Sequence, residues 1–273
     1  MMNRLICIES TDSKYMVKLN LIMNRKRNSL LSVLAFAIMF SLLSNLNTAS
    51  GQPPGFQRPP LPPIPIKGDT THTLSRHFSN ATSVKIPPFS NGFIHRWLVL
   101  EPIKKDIARN NIFTDNYLRS EFKNNNFSED YLVMPKAGEM VKVGNQDLKW
   151  YALDSKTFNF NLFNFSYDIN KPKYGLLFWL VTVIDCKEEI ENVRMTAGCN
   201  SGGMFWLNGQ EVLMLSGDRD MIVDNVASPL ITLKKGKNII RGAVINGPGM
   251  ANFCLRFIDE KGKAVRNISI SQD

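Results

Sequence analysis

The sequence predicts an all-β sandwich carrying one short helix, preceded by a signal peptide and a proline-rich linker. Three observations lead there. Apolar residues recur at period two in several short segments between residues 90 and 273, turn dipeptides separate those segments, and a single stretch has the capped start and the 3.6-residue period of a helix. Many short strands with one helix bury their apolar faces by packing sheet on sheet.

The elements follow in order. Residues 1–22 do not belong to the design that begins at Met23 and read as an upstream extension, with Met23 as the candidate start. From there Arg25-Lys26-Arg27 is followed by a 14-residue apolar run, Leu30 to Leu43, and by the small residues Thr48-Ala49-Ser50-Gly51. A basic region, a run too short to span a bilayer of about 30 Å, and a small-residue tail make residues 23–51 a secretory signal peptide. Residues 52–89 are a linker, because Gln52 to Ile66 is proline-dense and suits extended polyproline II. The compact domain is placed at residues 90–273.

Within it Trp97 to Leu100 is a short strand, and Thr114 to Asn124 is the helix, capped by Thr114 or Asp115, with Tyr117, Leu118 and Phe122 facing inward. Phe158 to Leu162 alternates, and Phe163 to Phe165 resumes one residue out of step, which predicts a bulged strand. Leu176 to Ile184 is continuously apolar and rich in branched and aromatic residues, as a strand buried on both faces requires. Met204 to Asn208 and Glu211 to Leu215 flank Asn208-Gly209, a pair that accepts positive φ and so suits a tight hairpin. Ile239 to Ile245 and Phe253 to Ile258 complete the set, each beside a Lys/Gly turn.

Composition narrows the function. A hydrophobic fraction of 44% with 21% charged residues excludes disorder throughout and a polytopic membrane protein. The formal charge of +9 shrinks once the first 51 residues are set aside: 33 less 6 basic residues against 24 less 2 acidic ones leaves 27 against 22, or +5, without a basic block. That excess makes no phosphate-binding stripe, so nucleic acid is not an expected partner, and no membrane is expected after signal cleavage. The expected location is secreted or periplasmic. Three histidines, His72, His77 and His95, leave only His95 in the compact domain, which rules out a histidine-rich metal site. Export would leave Cys186, Cys199 and Cys254, and spacing does not choose between one disulfide, with three pairings, and three small buried hydrophobes.

Certain stretches resemble a known family. Gly92-Phe93-Ile94-His95-Arg96-Trp97-Leu98-Val99-Leu100-Glu101-Pro102 is similar to the opening of galactose-binding-domain-like jelly rolls. Pro135 to Glu139 with Leu148-Lys149-Trp150, the hairpin Phe205-Trp206-Leu207-Asn208-Gly209, and Leu233 to Asn238 with Val244 to Gly249 resemble its later signatures. The resemblance covers residues 91–266 and implies a jelly-roll β-sandwich of the kind that accompanies secreted acetylxylan esterase-type and other polysaccharide-degrading proteins. Where many members have acidic residues before the hairpin, this chain has Asn200-Ser201-Gly202-Gly203.

No catalytic residues are assigned. The stretch Gly198 to Gly203 has the wrong spacing for a nucleophile elbow, and His95, at a strand entry beside Arg96 and Trp97, reads as structural. Binding is better supplied. Trp150 and Trp206, like Trp97, offer flat faces for pyranose rings, with burial in the core as the leading reading for each, while Trp179, inside the buried strand, reads as core. The loop Ser216 to Asp224 is the most polar segment, and Arg219, flanked by Asp218 and Asp220, could hold paired hydroxyls or a uronate. Asn246 joins these as a turn residue or a sugar ligand. Asp218, Asp220 and Asp224 are the only metal candidates, for calcium, although the spacing lacks the glycine and terminal glutamate of a calcium loop. The leading expectation is a secreted, non-catalytic carbohydrate-binding module with a glycan partner. Its rivals are an esterase or hydrolase acting on plant-type polysaccharide and a structural protein-interaction sandwich.

Overall fold

The computed structural model describes residues 72–107 and 113–273. The upstream extension, the signal peptide and the linker up to residue 71 lie outside them.

Fifteen strands and two α-helices are present among the described residues. In chain order they are β1 (Phe78–Asn80), β2 (Arg96–Leu100), β3 (Ile103–Lys104), α1 (Asp115–Asn124), β4 (Met140–Val143), β5 (Gln146–Ser155), β6 (Phe160–Asn161), α2 (Leu162–Asp168), β7 (Leu176–Cys186) and β8 (Ile190–Cys199). There follow β9 (Gly202–Leu207), β10 (Gln210–Leu215), β11 (Val226–Ala227), β12 (Ile231–Leu233), β13 (Gly236–Asn246), β14 (Asn252–Ile258) and β15 (Ile268–Ser271). A ten-stranded sheet has the order β1-β5-β2-β7-β13-β9-β10, with β3 and β15 also on β7 and β4 on β5. A five-stranded sheet has the order β11-β8-β14-β6, with β12 on β8. Every pairing is antiparallel.

β7 is the hinge of the architecture. One edge pairs along its whole length with β13, from Cys186 opposite Gly236 to Leu176 opposite Asn246, and the other edge is shared by β15, β2 and β3. Successive side chains point to opposite faces. Phe178 and Leu180 therefore enter the space between the sheets, with Trp97, Met195, Phe253 and Leu255. Leu177, Trp179 and Val181 enter a second core on the far face, covered by Leu118 and Phe122 of α1. Burial on both sides is what the unbroken apolar run foretells.

Thr114 caps α1 as expected, its hydroxyl accepting from the Tyr117 amide at 3.3 Å. The end of the helix is tied to β7, where the Trp179 indole donates to the Asn125 carbonyl at 2.8 Å. Beyond it the chain is held over the sheet by Arg241 of β13, which is 1% exposed and donates to the carbonyls of Ser128 and Asp130 and to Asn126 Oδ1. The rings of Phe127, Tyr131 and Trp179 surround its guanidinium, and burial lowers its pKa to about 10.

The expected hairpin is present. Asn208 and Gly209, at φ 51° and 84°, turn β9 into β10. The bulged strand expected over Phe158 to Phe165 is not. Only Phe160–Asn161 pairs, with β14, and the chain then becomes α2, a second helix. The physical reason is local: Asn161 Oδ1 accepts from the Asn164 amide at 2.8 Å and caps the helix, whose Leu162 and Phe165, three apart, share one buried face.

Ahead of residue 90, β1 pairs with β5, Ile86 bridges Ile270, and His77 meets Asp168 at 3.0 Å. The three cysteines among the described residues, Cys186, Cys199 and Cys254, are free, buried thiols. Cys199 lies opposite Phe253 and Cys254 opposite Gly198, so the two thiols face opposite sides of the smaller sheet and a bond between them is excluded.

Candidate functional site

Three connections meet at one end of the sandwich. The first joins β8 to β9 through Asn200 and Ser201, the second is the polar loop from Ser216 to Asn225, and the third is the Gly247 to Ala251 turn between β13 and β14. Backbone hydrogen bonds fasten them: Ser201 N–H donates to the Arg219 carbonyl at 3.0 Å, Asn200 N–H to that of Asn252 at 2.9 Å, and Gly217 N–H to that of Phe113 at 2.7 Å. Ser201 takes φ 61° to make the tight exit from β8.

These connections enclose a cavity of about 300 Å³. Asn200, Ser201, Asp218, Arg219 and Asp220 supply its polar lining and Ile107, Phe113 and Met250 apolar lining, and Gly247, Pro248 and Gly249 complete it. The Asn200 Oδ1 atom is buried and has no hydrogen-bond partner among the described residues. Such an atom stays unsatisfied at a cost until something donates to it. Asp218 and Asp220 are exposed and take part in none of the ion pairs among the described residues.

Arg219 forms no ion pair with Asp218 or Asp220 among the described residues. Its Nε instead donates to the Ser216 carbonyl at 2.6 Å and its Nη1 to Asn225 Oδ1. Both bonds are local, so the guanidinium is oriented by its own loop while its charge stays without a carboxylate partner among the described residues.

Of the residues singled out in the sequence, Asp218, Arg219 and Asp220 share this cavity, and Trp150, Trp206 and Asn246 do not line it. Trp150 is 1% exposed, packed edge-on against Phe127, and has no face for a ligand. Trp206 is the floor of a separate hollow beside α1, whose rim charges Arg119 and Glu211 already pair at 2.7 Å. Asn246 is completely buried: its Oδ1 accepts from the Leu176 amide at 2.9 Å, and its Nδ2 donates to the carbonyls of Lys173 and Gly249, each at 3.1 Å. It is a turn anchor.

The calcium grouping is not formed. Asp224 turns away from Asp218 and Asp220 to meet Arg256, whose Nε donates to Oδ1 at 3.0 Å and Nη2 to Oδ2, while Thr196 Oγ1 donates to Oδ1 at 2.7 Å. Burial opposes its charge, but the hydrogen bonds from Arg256 and Thr196 outweigh that and hold its pKa below the ordinary value. No cluster of three or more His, Cys, Asp or Glu side chains able to hold a metal is found among the described residues.

Neither His95 nor Cys199 lines the cavity. His95 stacks on Phe89 with ring centres 4.0 Å apart, outside the cavity lining, and burial lowers its pKa. The Cys199 thiol, enclosed in the core between the sheets, is pushed by burial up to about 12, which keeps it neutral. Asn200 and Ser201 were not recognised as lining residues from the sequence. Their only signal was their place just before the hairpin strand.

No family model and no curated protein matches the sequence. Among solved structures it is similar to a PA14 sugar-binding domain from an RTX adhesin, with a TM-score of 0.37, 10% identity, and 65% of this chain and 99% of that one covered. It is also similar to the PA14 domain of the MpAFP antifreeze protein, with a TM-score of 0.37, 12% identity and coverage of 71% and 96%. A third is the Epithelial Adhesin 9 A domain from Candida glabrata in complex with Galb1-4GlcNAc, with a TM-score of 0.33, 10% identity and coverage of 72% and 97%.

Proposed function

We propose that the domain is a non-catalytic carbohydrate-binding module of a secreted polysaccharide-utilisation system, and that sugar hydroxyls bind in the cavity at Arg219. The observation that supports this most is the chemistry of the lining. Asn200 Oδ1 is a buried acceptor unengaged among the described residues, Asp218 and Asp220 are exposed acceptors, Arg219 is an oriented donor, and Phe113 and Ile107 add apolar lining. A pyranose has hydroxyl edges and C–H faces, and it matches a site lined by both polar and apolar groups. The site sits on loops carried by a rigid sandwich, where binding residues vary without disturbing the core. The Arg/Lys/Arg and apolar run at residues 25–43 supports export. No histidine lines the cavity, which weighs against the esterase reading.

A glycan array, followed by calorimetric titration of the best ligand, tests the reading with two variants. Asp218→Asn removes a charge from an exposed side chain with no ion pair among the described residues and should leave the melting temperature unchanged, while Arg219→Ala also removes two loop hydrogen bonds. Each should lower affinity by about tenfold, or ~1.4 kcal/mol. Undiminished binding by both folded variants would remove the site, and turnover of an acetylated polysaccharide by the purified protein would replace binding with catalysis.

A further inference from the structure

The Arg219 cavity does not end at its rim. A second hollow of about 500 Å³ adjoins it and shares Ile107, Gly247 and Pro248 with it, so the two are compartments of one furrow with the Gly247-Pro248 turn as the saddle. Lys105, Asp106, Tyr174 and Gly175 line the far compartment.

Tyr174 is 51% exposed, an open position for a large ring. One ring contact and the backbone of the next residue support it. Its ring meets Phe163 edge to face at 5.6 Å, a contact that braces it without covering it. The next residue, Gly175, donates its N–H to the Gly247 carbonyl at 3.0 Å and accepts from the Lys105 amide at 2.7 Å. Gly175 takes φ 64°, and a Cβ there would stand 2.7 Å from the Lys105 carbonyl oxygen. Only glycine allows the backbone beside Tyr174 to be clamped between both walls of the furrow. An exposed aromatic ring carried on a fastened backbone and braced by a neighbouring ring has less freedom to lose when a ligand arrives.

We infer that the furrow takes a neutral oligosaccharide rather than a single sugar, with one residue at Arg219 and a later residue stacked on Tyr174. This rests on the carbohydrate reading of the Arg219 cavity and extends it along the chain. Length follows from the two joined compartments, since one pyranose at Arg219 would leave Tyr174 unused. Neutrality follows from charge. Asp106, Asp218 and Asp220 line the furrow, whereas Lys105 is committed to Glu121 at 2.8 Å, which leaves Arg219 as the one cation lining these compartments without a carboxylate partner among the described residues. A polyuronate would meet more carboxylates than free cations. Stacking of a C–H face on the ring needs no charge at all.

The experiment is calorimetric titration of the full chain with xylose and xylo-oligosaccharides of two to six residues, with galactose and β-1,4-galacto-oligosaccharides of the same lengths, and with oligogalacturonates. In at least one neutral series affinity should rise tenfold or more between one and four residues, and the oligogalacturonates should bind more weakly than that series. Tyr174→Ala should abolish the rise and leave the single-sugar affinity unchanged, while Tyr174→Phe should preserve it. Affinity independent of length, or a length effect that survives Tyr174→Ala, or tighter binding of the oligogalacturonates, would overturn the inference. Single-sugar binding that depends on Asp218 but not on length would leave the Arg219 site standing alone, and absence of binding in every series would sink both.

Discussion

The carbonyl oxygen of Ile222 occupies the place where a side chain on Gly198 would be: a Cβ on Gly198 would stand 1.9 Å from it. The polar loop therefore lies directly on the backbone of β8, two residues before Asn200 enters the cavity lining. One hydrogen atom in place of a methyl group sets how close Arg219 comes to Asn200 and Ser201.

The first prediction tests that contact. Gly198→Ala should push the loop off the strand, destabilising the fold by about 1–3 kcal/mol as overpacking against backbone does, and should weaken glycan binding at Arg219 in the same protein. Thermal melts and titration read the two effects. An unchanged melting temperature would mean that the loop does not rest on Gly198.

Asn246 separates a structural from a ligand-binding asparagine. Asn246→Ala would leave the buried Leu176 amide without an acceptor and two carbonyls without their donor, so a loss of about 1–3 kcal/mol is expected for the unsatisfied amide. Denaturant unfolding measures it. A variant as stable as the parent but deficient in binding would return Asn246 to the ligand site.

The third prediction concerns pH. Burial, the largest influence on His95, together with the Arg96 charge, outweighs the raising effects of the Phe93 backbone and Asp154, and holds its pKa below the ordinary ~6.5. The folded state thus prefers the neutral ring. Between ~6.5 and the lower folded value the unfolded chain binds more protons, so this contribution to stability is present at neutral pH and is lost as pH falls through that window. His95→Phe keeps a ring on Phe89 and removes the titration, so its melting temperature should fall less between pH 7.5 and 5.5 than that of the parent. Equal falls would show that His95 does not ionise differently in the two states.

The sequence by itself determined the elements whose signal is local. The unbroken apolar run of Leu176 to Ile184 required a strand buried on both sides, Asn208-Gly209 required a tight turn, and Thr114 ahead of Leu118 and Phe122 required a capped helix, because backbone conformation and nearest neighbours settle each. It also singled out Asp218, Arg219 and Asp220 as the most polar loop. Tertiary structure decided what depends on distant partners. Phe160 alternates with its neighbours, yet the chain turns helical at Leu162 once Asn161 caps it and Phe165 finds the core. Asp224 lies close to the other acids in sequence and is drawn away by Arg256, 32 residues later. Asn200, Ser201 and Tyr174 reach the furrow only because the loops around β8, β13 and α2 emerge at one end of the sandwich, and period-two patterning places a side chain on a face without saying which loops will meet there.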